Sequence, residues 1–156
     1  MLLDGINHVA VLTNDAGRLH AFYRDVFDAA VSYEGPADDD GGRISFIDIG
    51  PATQLNVFEF PGNTEAERQT PMFGRGRLDH FGLAAASKEA FETIRRRLME
   101  RGATDGFVTD FGVAISVFFR DPDGLEGEVL LHNPDAGPGD VKPPGTPAAG
   151  YEVGVP

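Results

Sequence analysis

The chain of 156 residues contains no cysteine, which excludes disulfides, thiolate metal ligands and cysteine nucleophiles together. Any metal must therefore be held by histidine and carboxylate. Positive charge is scarce too: 13 Lys and Arg stand against 25 Asp and Glu, a formal charge of -12. That balance repels nucleic-acid phosphates and anionic lipid headgroups. The one dense basic run, Arg95-Arg96-Arg97, falls on an amphipathic helical pattern and reads as its solvated face. No nucleic-acid partner is expected. Long apolar runs are missing, and the opening MLLDGINHVAVL carries an acid at position 4 rather than a basic leader. The expectation is a soluble, cytoplasmic protein with no membrane partner.

What is present suffices for a sizeable core, since 41% of the residues are hydrophobic. One domain is expected over 1–133. From 134 to 156 the texture changes, with 6 Pro and 5 Gly in 23 residues, too many for a helix or a central strand. This reads as a flexible or extended tail. The alternative is that Tyr151 and Val153 dock on a neighbouring subunit or close over a pocket.

Within the domain, INHVAVLTND at 6–15 is echoed by LDHFGLAAAS at 78–87. Each is an apolar strand with His at its third position, followed by a residue suited to cap a helix. After Asn14 the positions Leu19, Phe22, Tyr23, Val26 and Phe27 form one buried stripe, and after Ser87 the residues Phe91, Ile94 and Leu98 form another that Gly102 can end. Three short β-rich stretches follow each helix: about 28–34, 43–49 and 53–60 in the first half, and 106–110, 113–119 and 125–131 in the second. The order β-α-β-β-β occurs twice, as module one (about 5–61) and module two (about 77–132). The fold class is α+β: two tandem modules forming a curved, partly open mixed sheet around a cavity, with the helices outside.

The last strand of each half carries glutamate. Glu59 follows His8 by 51 residues and Glu128 follows His80 by 48, so each module offers one His from its first strand and one Glu from its last. Two imidazoles with one or two carboxylates suit Zn, Ni, Fe, Mn or Co, and a shared metal would offset the cost of burying the carboxylates. Glu126 points the same way as Glu128, one pleat earlier. His20 reads as a surface residue beside the first stripe, and His132 as a residue at the strand's end, with an acid/base role at a pocket rim as the alternative. Arg75 and Arg77 read first as surface residues, with a substrate carboxylate or phosphate as the alternative partner.

The repeated layout, NHVAV with His8, DHFGL with His80, and FFRDPDGLEGEV with Glu128 resemble the vicinal oxygen chelate superfamily over residues 5–132. That family includes glyoxalase I, extradiol dioxygenases, methylmalonyl-CoA epimerase and the fosfomycin- and bleomycin-resistance proteins. The resemblance implies that His8, Glu59, His80 and Glu128 take the metal-ligand places. It also implies a divalent metal that stabilises an oxyanion on a small-molecule substrate, with Glu59 and Glu128 as the catalytic carboxylates. With Glu59 in the set, the expected activity is a glyoxalase-like lyase or isomerase that moves a proton next to a carbonyl. The alternatives are an Fe(II) ring-cleaving dioxygenase on a His-His-Glu triad and a metal-free binding protein of the bleomycin-resistance kind. Open sheet edges, and the habit of similar proteins, give the expectation of a homodimer.

Overall fold

Both repeats fold, and they fold alike. In a computed structural model, which describes residues 2, 5–68, 74, 78–137 and 139–151, module one runs β1 (His8–Thr13), α1 (Ala16–Phe27), β2 (Ala30–Pro36), β3 (Arg43–Gly50) and β4 (Thr53–Glu59). Module two runs β5 (Phe81–Ala84), α2 (Lys88–Glu100), β6 (Val108–Asp110), β7 (Ala114–Arg120) and β8 (Glu126–His132). Each makes a four-stranded mixed sheet, of order β1-β4-β3-β2 and β5-β8-β7-β6, and neither closes into a barrel. The first and last strands of each module pair in parallel, and the rest pair antiparallel.

One face of each sheet is closed by its own helix. In the first unit α1 buries Leu19, Phe22, Tyr23 and Val26 with Ile47, Leu55 and Val57. In the second, α2 buries Phe91 and Leu98, and Val108, Val117 and Val129 are buried from the sheet. Ser87 caps α2 by accepting from the Ala90 N–H at 3.2 Å, and Gly102, at φ 64°, follows the helix end. Asp15, rather than Asn14, caps α1, accepting from the Arg18 N–H at 2.9 Å.

His20 is a correction to the reading of the sequence. It is buried rather than on the surface, and its Nε2 shares a 2.7 Å hydrogen bond with Ser45 Oγ. Burial lowers its pKa from the ordinary 6.5, opposed by Glu34 and assisted by Arg43, with Glu59 and Arg24 as smaller influences.

The turn of the DPDG motif has its own architecture. Asp121 and Leu125 close it, with Asp121 N–H donating to the Leu125 carbonyl and Leu125 N–H to Asp121 Oδ1. Its tip, Pro122–Gly124, groups with Met1–Gln69 as one unit, while Thr70–Asp121 and Leu125–Pro156 form the other. Within the first unit Asp123 accepts from Thr13 Oγ1 at 2.7 Å and from the Arg18 guanidinium at 2.6 Å. Thr13 is fully buried and the Asp123 side chain is 8% exposed.

The Pro/Gly-rich segment forms no helix among its described residues, yet it is held along its length. It runs antiparallel beside β6: Asp110 N–H donates to the Thr146 carbonyl, Ala148 N–H to Val108 and Lys142 N–H to Phe111. Prolines at 143, 144 and 147 suit an edge, where missing N–H groups leave no ladder bond unmade. Gly112, at φ 82°, lets the tail approach, since a Cβ there would lie 2.1 Å from the Asp140 carbonyl oxygen. Tyr151 then packs edge-on against Phe91 and beneath Arg95, on α2 of its own unit. Val153 lies outside the described residues.

Two outcomes follow. Asp123→Ala removes a charged acceptor from a buried hydroxyl, so urea unfolding should show a loss of about 1–3 kcal/mol. His20 is held neutral in the fold but takes a proton more readily when unfolded. Its contribution is therefore complete above pH 6.5 and falls away as pH drops below that value. The urea midpoint of His20→Gln should fall less steeply between pH 7.5 and 5 than that of the parent.

Candidate functional site

On the face of the first sheet away from α1 stands His8, at the start of β1, and in the second unit His80 immediately precedes β5. In the second unit Phe81 pairs with Gly127 and Gly82 with Glu128, and His80 precedes Phe81. The His80 Nε2 lies 3.8 Å from Glu128 Oε2, and its ring stands edge-on to Phe118. Glu128 is buried, and its other oxygen accepts from Ser116 Oγ at 2.5 Å. Gly82 makes room for Leu130, whose Cδ1 would lie 2.7 Å from a Cβ there. Glu126, also buried, faces Arg120, whose Nε is 3.9 Å away.

In the first unit His8 pairs with Gln54 and is exposed. Both histidines are oriented from the residue before them: His8 Nδ1 donates to Asn7 Oδ1, and His80 Nδ1 to Asp79 Oδ2, each at 2.9 Å. Occupying Nδ1 in this way leaves Nε2 as the lone-pair nitrogen of each neutral ring, the arrangement of a metal-binding imidazole with its outer partner in place.

The expectation that Glu59 joins His8 is not met within this unit. Glu59 pairs with Thr13 and Arg43, and it shares its face with Leu55 and Val57, whereas His8 shares the opposite face with Gln54, Asn56 and Phe58. The Glu59 carboxylate is engaged under the helix. It accepts from the Ala16 N–H at 2.9 Å, and the Arg43 guanidinium stands 3.7 Å off. A carboxylate at a helix start satisfies an otherwise unpaired N–H and complements the helix dipole.

The residue missed from sequence is Asn56. It pairs with Ala10, two residues after His8, as Glu128 pairs with Gly82, two residues after His80. Across the sheet it faces Phe46, as Glu128 faces Phe118. Asn56 follows His8 by 48 residues, the same interval as from His80 to Glu128, and that equality was the available signal.

Among the described residues, within neither unit do three or more His, Asp or Glu side chains gather closely enough to hold a metal. In the second unit the donors present suit a divalent ion: an oriented imidazole, His80, and the buried Glu128 carboxylate with one oxygen facing it. Arg75 and Arg77 lie outside the described residues. His132 is exposed at the end of β8, on the rim of a cavity of about 610 Å³ that the tail forms with Asp110, Ile115 and Leu131.

The model of the Glyoxalase/Bleomycin resistance protein/Dioxygenase superfamily matches residues 5–129. Among solved structures, a glyoxylase/bleomycin resistance protein/dioxygenase domain from Frankia sp. EAN1pec superposes with a TM-score of 0.69 at 21% identity, over 85% of this chain and 95% of that one. The oxidase ChaP-H2 gives 0.63 at 22%, over 88% and 100%. The fosfomycin resistance protein FosX from Listeria monocytogenes, complexed with Mn(II) and sulfate, gives 0.57 at 16%, over 86% and 98%. At these identities the likeness carries the fold. No curated protein matches this chain by sequence comparison.

Proposed function

Because the chain belongs to the Glyoxalase/Bleomycin resistance protein/Dioxygenase superfamily, we propose that it is a divalent-metal enzyme acting on a small molecule that presents two neighbouring oxygens, with His8, His80 and Glu128 as the metal ligands. One observation carries the choice of reaction: Glu59 turns away from the face of His8 and binds the start of α1. A four-ligand lyase needs that carboxylate at the metal as its proton carrier. A set of two histidines and one carboxylate instead leaves adjacent positions open for a chelating substrate and for oxygen. The reading is therefore an Fe(II) ring-cleaving dioxygenase or a related oxidase, ahead of the glyoxalase-like lyase.

When bound, the metal would supply Lewis acidity and fixed positive charge for an oxyanion. The chain's own residues do the positioning. Asn7 and Asp79 hold the two imidazoles with Nε2 free. Ser116 fixes one oxygen of Glu128, leaving the other toward His80. The aromatic side chains of the uncovered face in the first unit, Tyr33 tilted on Phe46 and Phe58 stacked on Phe60, offer flat apolar surface for a ring.

Assembly as a homodimer belongs to the same proposal. Among the described residues, strand β2 ends its sheet with no further strand on its outer side, whereas the tail lies along the outer side of β6. An uncovered edge invites a symmetric partner. Sedimentation at micromolar concentration should give twice the chain mass of 16.7 kDa, and a single-chain mass would reject this assembly.

For the chemistry, metal analysis of protein purified without chelator or nickel resin should find about one divalent ion per chain. Glu128→Gln should weaken its retention by roughly 10- to 100-fold, an effect of the size known for metal-site changes. Glu59→Gln should keep both the metal and any Fe(II)-dependent cleavage of catechols. Turnover of α-ketoaldehyde-thiol adducts with Ni or Zn that Glu59→Gln abolishes would restore the lyase.

A further inference from the structure

The row of residues that α2 covers is followed, on the same face of the same sheet, by a row left half-open. Val108, Val117 and Val129 pair across β6, β7 and β8 and are at most 1% exposed. Two residues further along, Asp110, Ile115 and Leu131 pair in the same order and are only half-buried. Over this second row the tail leaves a cavity of about 610 Å³ rather than filling it. That is the size of a small-molecule pocket, which runs from about 300 to 1,000 Å³. Alternation sets its floor on the face opposite Glu128 and Ser116, so it is separate from the metal site proposed above.

The cavity is open to water. His132, Asp135, Asp140 and Val141 on its rim are exposed. Val141 holds its isopropyl group 73% exposed, and main-chain pairing keeps it there. It bridges to Gly112, and the next residue, Lys142, donates its N–H to the Phe111 carbonyl. Ile115 and Leu131 give an apolar floor, while the charged groups are mainly carboxylates. Asp110 is paired with Lys142, whose Nζ lies 2.5 Å from Oδ2. Among the described residues neither Asp135 nor Asp140 has an ion-pair partner, and the bond Asp140 accepts from the Gly137 N–H leaves its charge in place. Three carboxylates against one ammonium give the lining an excess of two negative charges, with His132 counted as neutral.

We propose that this cavity is a binding site for a small organic cation with an apolar body, an aryl- or alkylammonium ion. The floor and Val141 cover the apolar body, and Asp135 and Asp140 face the ammonium. The formal charge of -12 on the chain draws cations toward it and repels anions. A bare metal ion is a poorer match, because among the described residues no three His, Asp or Glu side chains gather closely enough to hold one.

The test is an amide-shift titration of isotope-labelled protein in low salt at pH 7, with three probes of one shape: 2-phenylethylammonium, 2-phenylethanol and phenylacetate. Shifts should centre on Ile115, Leu131 and Val141. The ammonium should bind at least about 3-fold more tightly than the alcohol, with the carboxylate weakest. Changing Asp135→Asn and Asp140→Asn together should bring the ammonium down to the level of the alcohol, a loss of about 3- to 10-fold for two exposed charges, and leave the alcohol unchanged. Val141→Ser should weaken ammonium and alcohol alike. These three side chains are exposed, so the variants spare the core, and the shift map of the parent needs no variant at all. An ammonium that binds no better than the alcohol or the carboxylate, shifts that centre elsewhere, or no saturable shift with the ammonium would each overturn the assignment. So would an ammonium affinity that the double Asn variant leaves unchanged. None of these results bears on His8, His80 or Glu128.

Discussion

Everything distinctive about the two modules descends from the alternation of side chains along a strand. Once a helix closes one face of a four-stranded sheet, each strand residue is committed either to the core under the helix or to the open face, and a step of one residue reverses that commitment. The same rule that buries Leu55 and Val57 delivers His8 and Asn56 to the other side, and it sends Glu59 beneath α1. Chemistry in this fold is thus selected by parity before it is selected by residue type.

Most of the architecture was readable from sequence because the signals were periodic and doubled. The stripes at Leu19–Val26 and Phe91–Leu98, the cap at Ser87 and the echo of NHVAV in DHFGL fixed the elements to within about two residues. Glu59 was misassigned for the same reason: a near-match of 51 against 48 residues looked like agreement. The difference of three is odd, and an odd offset changes the face. His20 escaped because its partner, Ser45, lies on a strand 25 residues away, and a helix pattern cannot report a polar pair across layers. The tail's composition argues against a helix, but it says nothing of whether an edge strand waits to receive it.

The two sheets spend their polar residues differently. In the first unit the charged groups Glu59, Arg43 and Glu34 cluster about α1 and His20, where they serve the fold. The face away from the helix carries aromatic rings together with His8, Asp48, Gln54 and Asn56. In the second unit that face carries Glu126, Glu128 and Ser116, with His80 beside Glu128. A duplicated module has in this way become two unlike sheets, one richer in aromatic surface and the other in buried charge.

The DPDG turn ties this division to the order in which the chain is made. Asp123 reaches Thr13 across 110 residues of sequence, so the first module, although its own strands are complete by Glu59, keeps a buried hydroxyl waiting until nearly all of the second has been synthesised. Contacts of such separation slow the search for the native state. A fragment that ends with the strands of the first module therefore lacks the acceptor of its buried Thr13 hydroxyl.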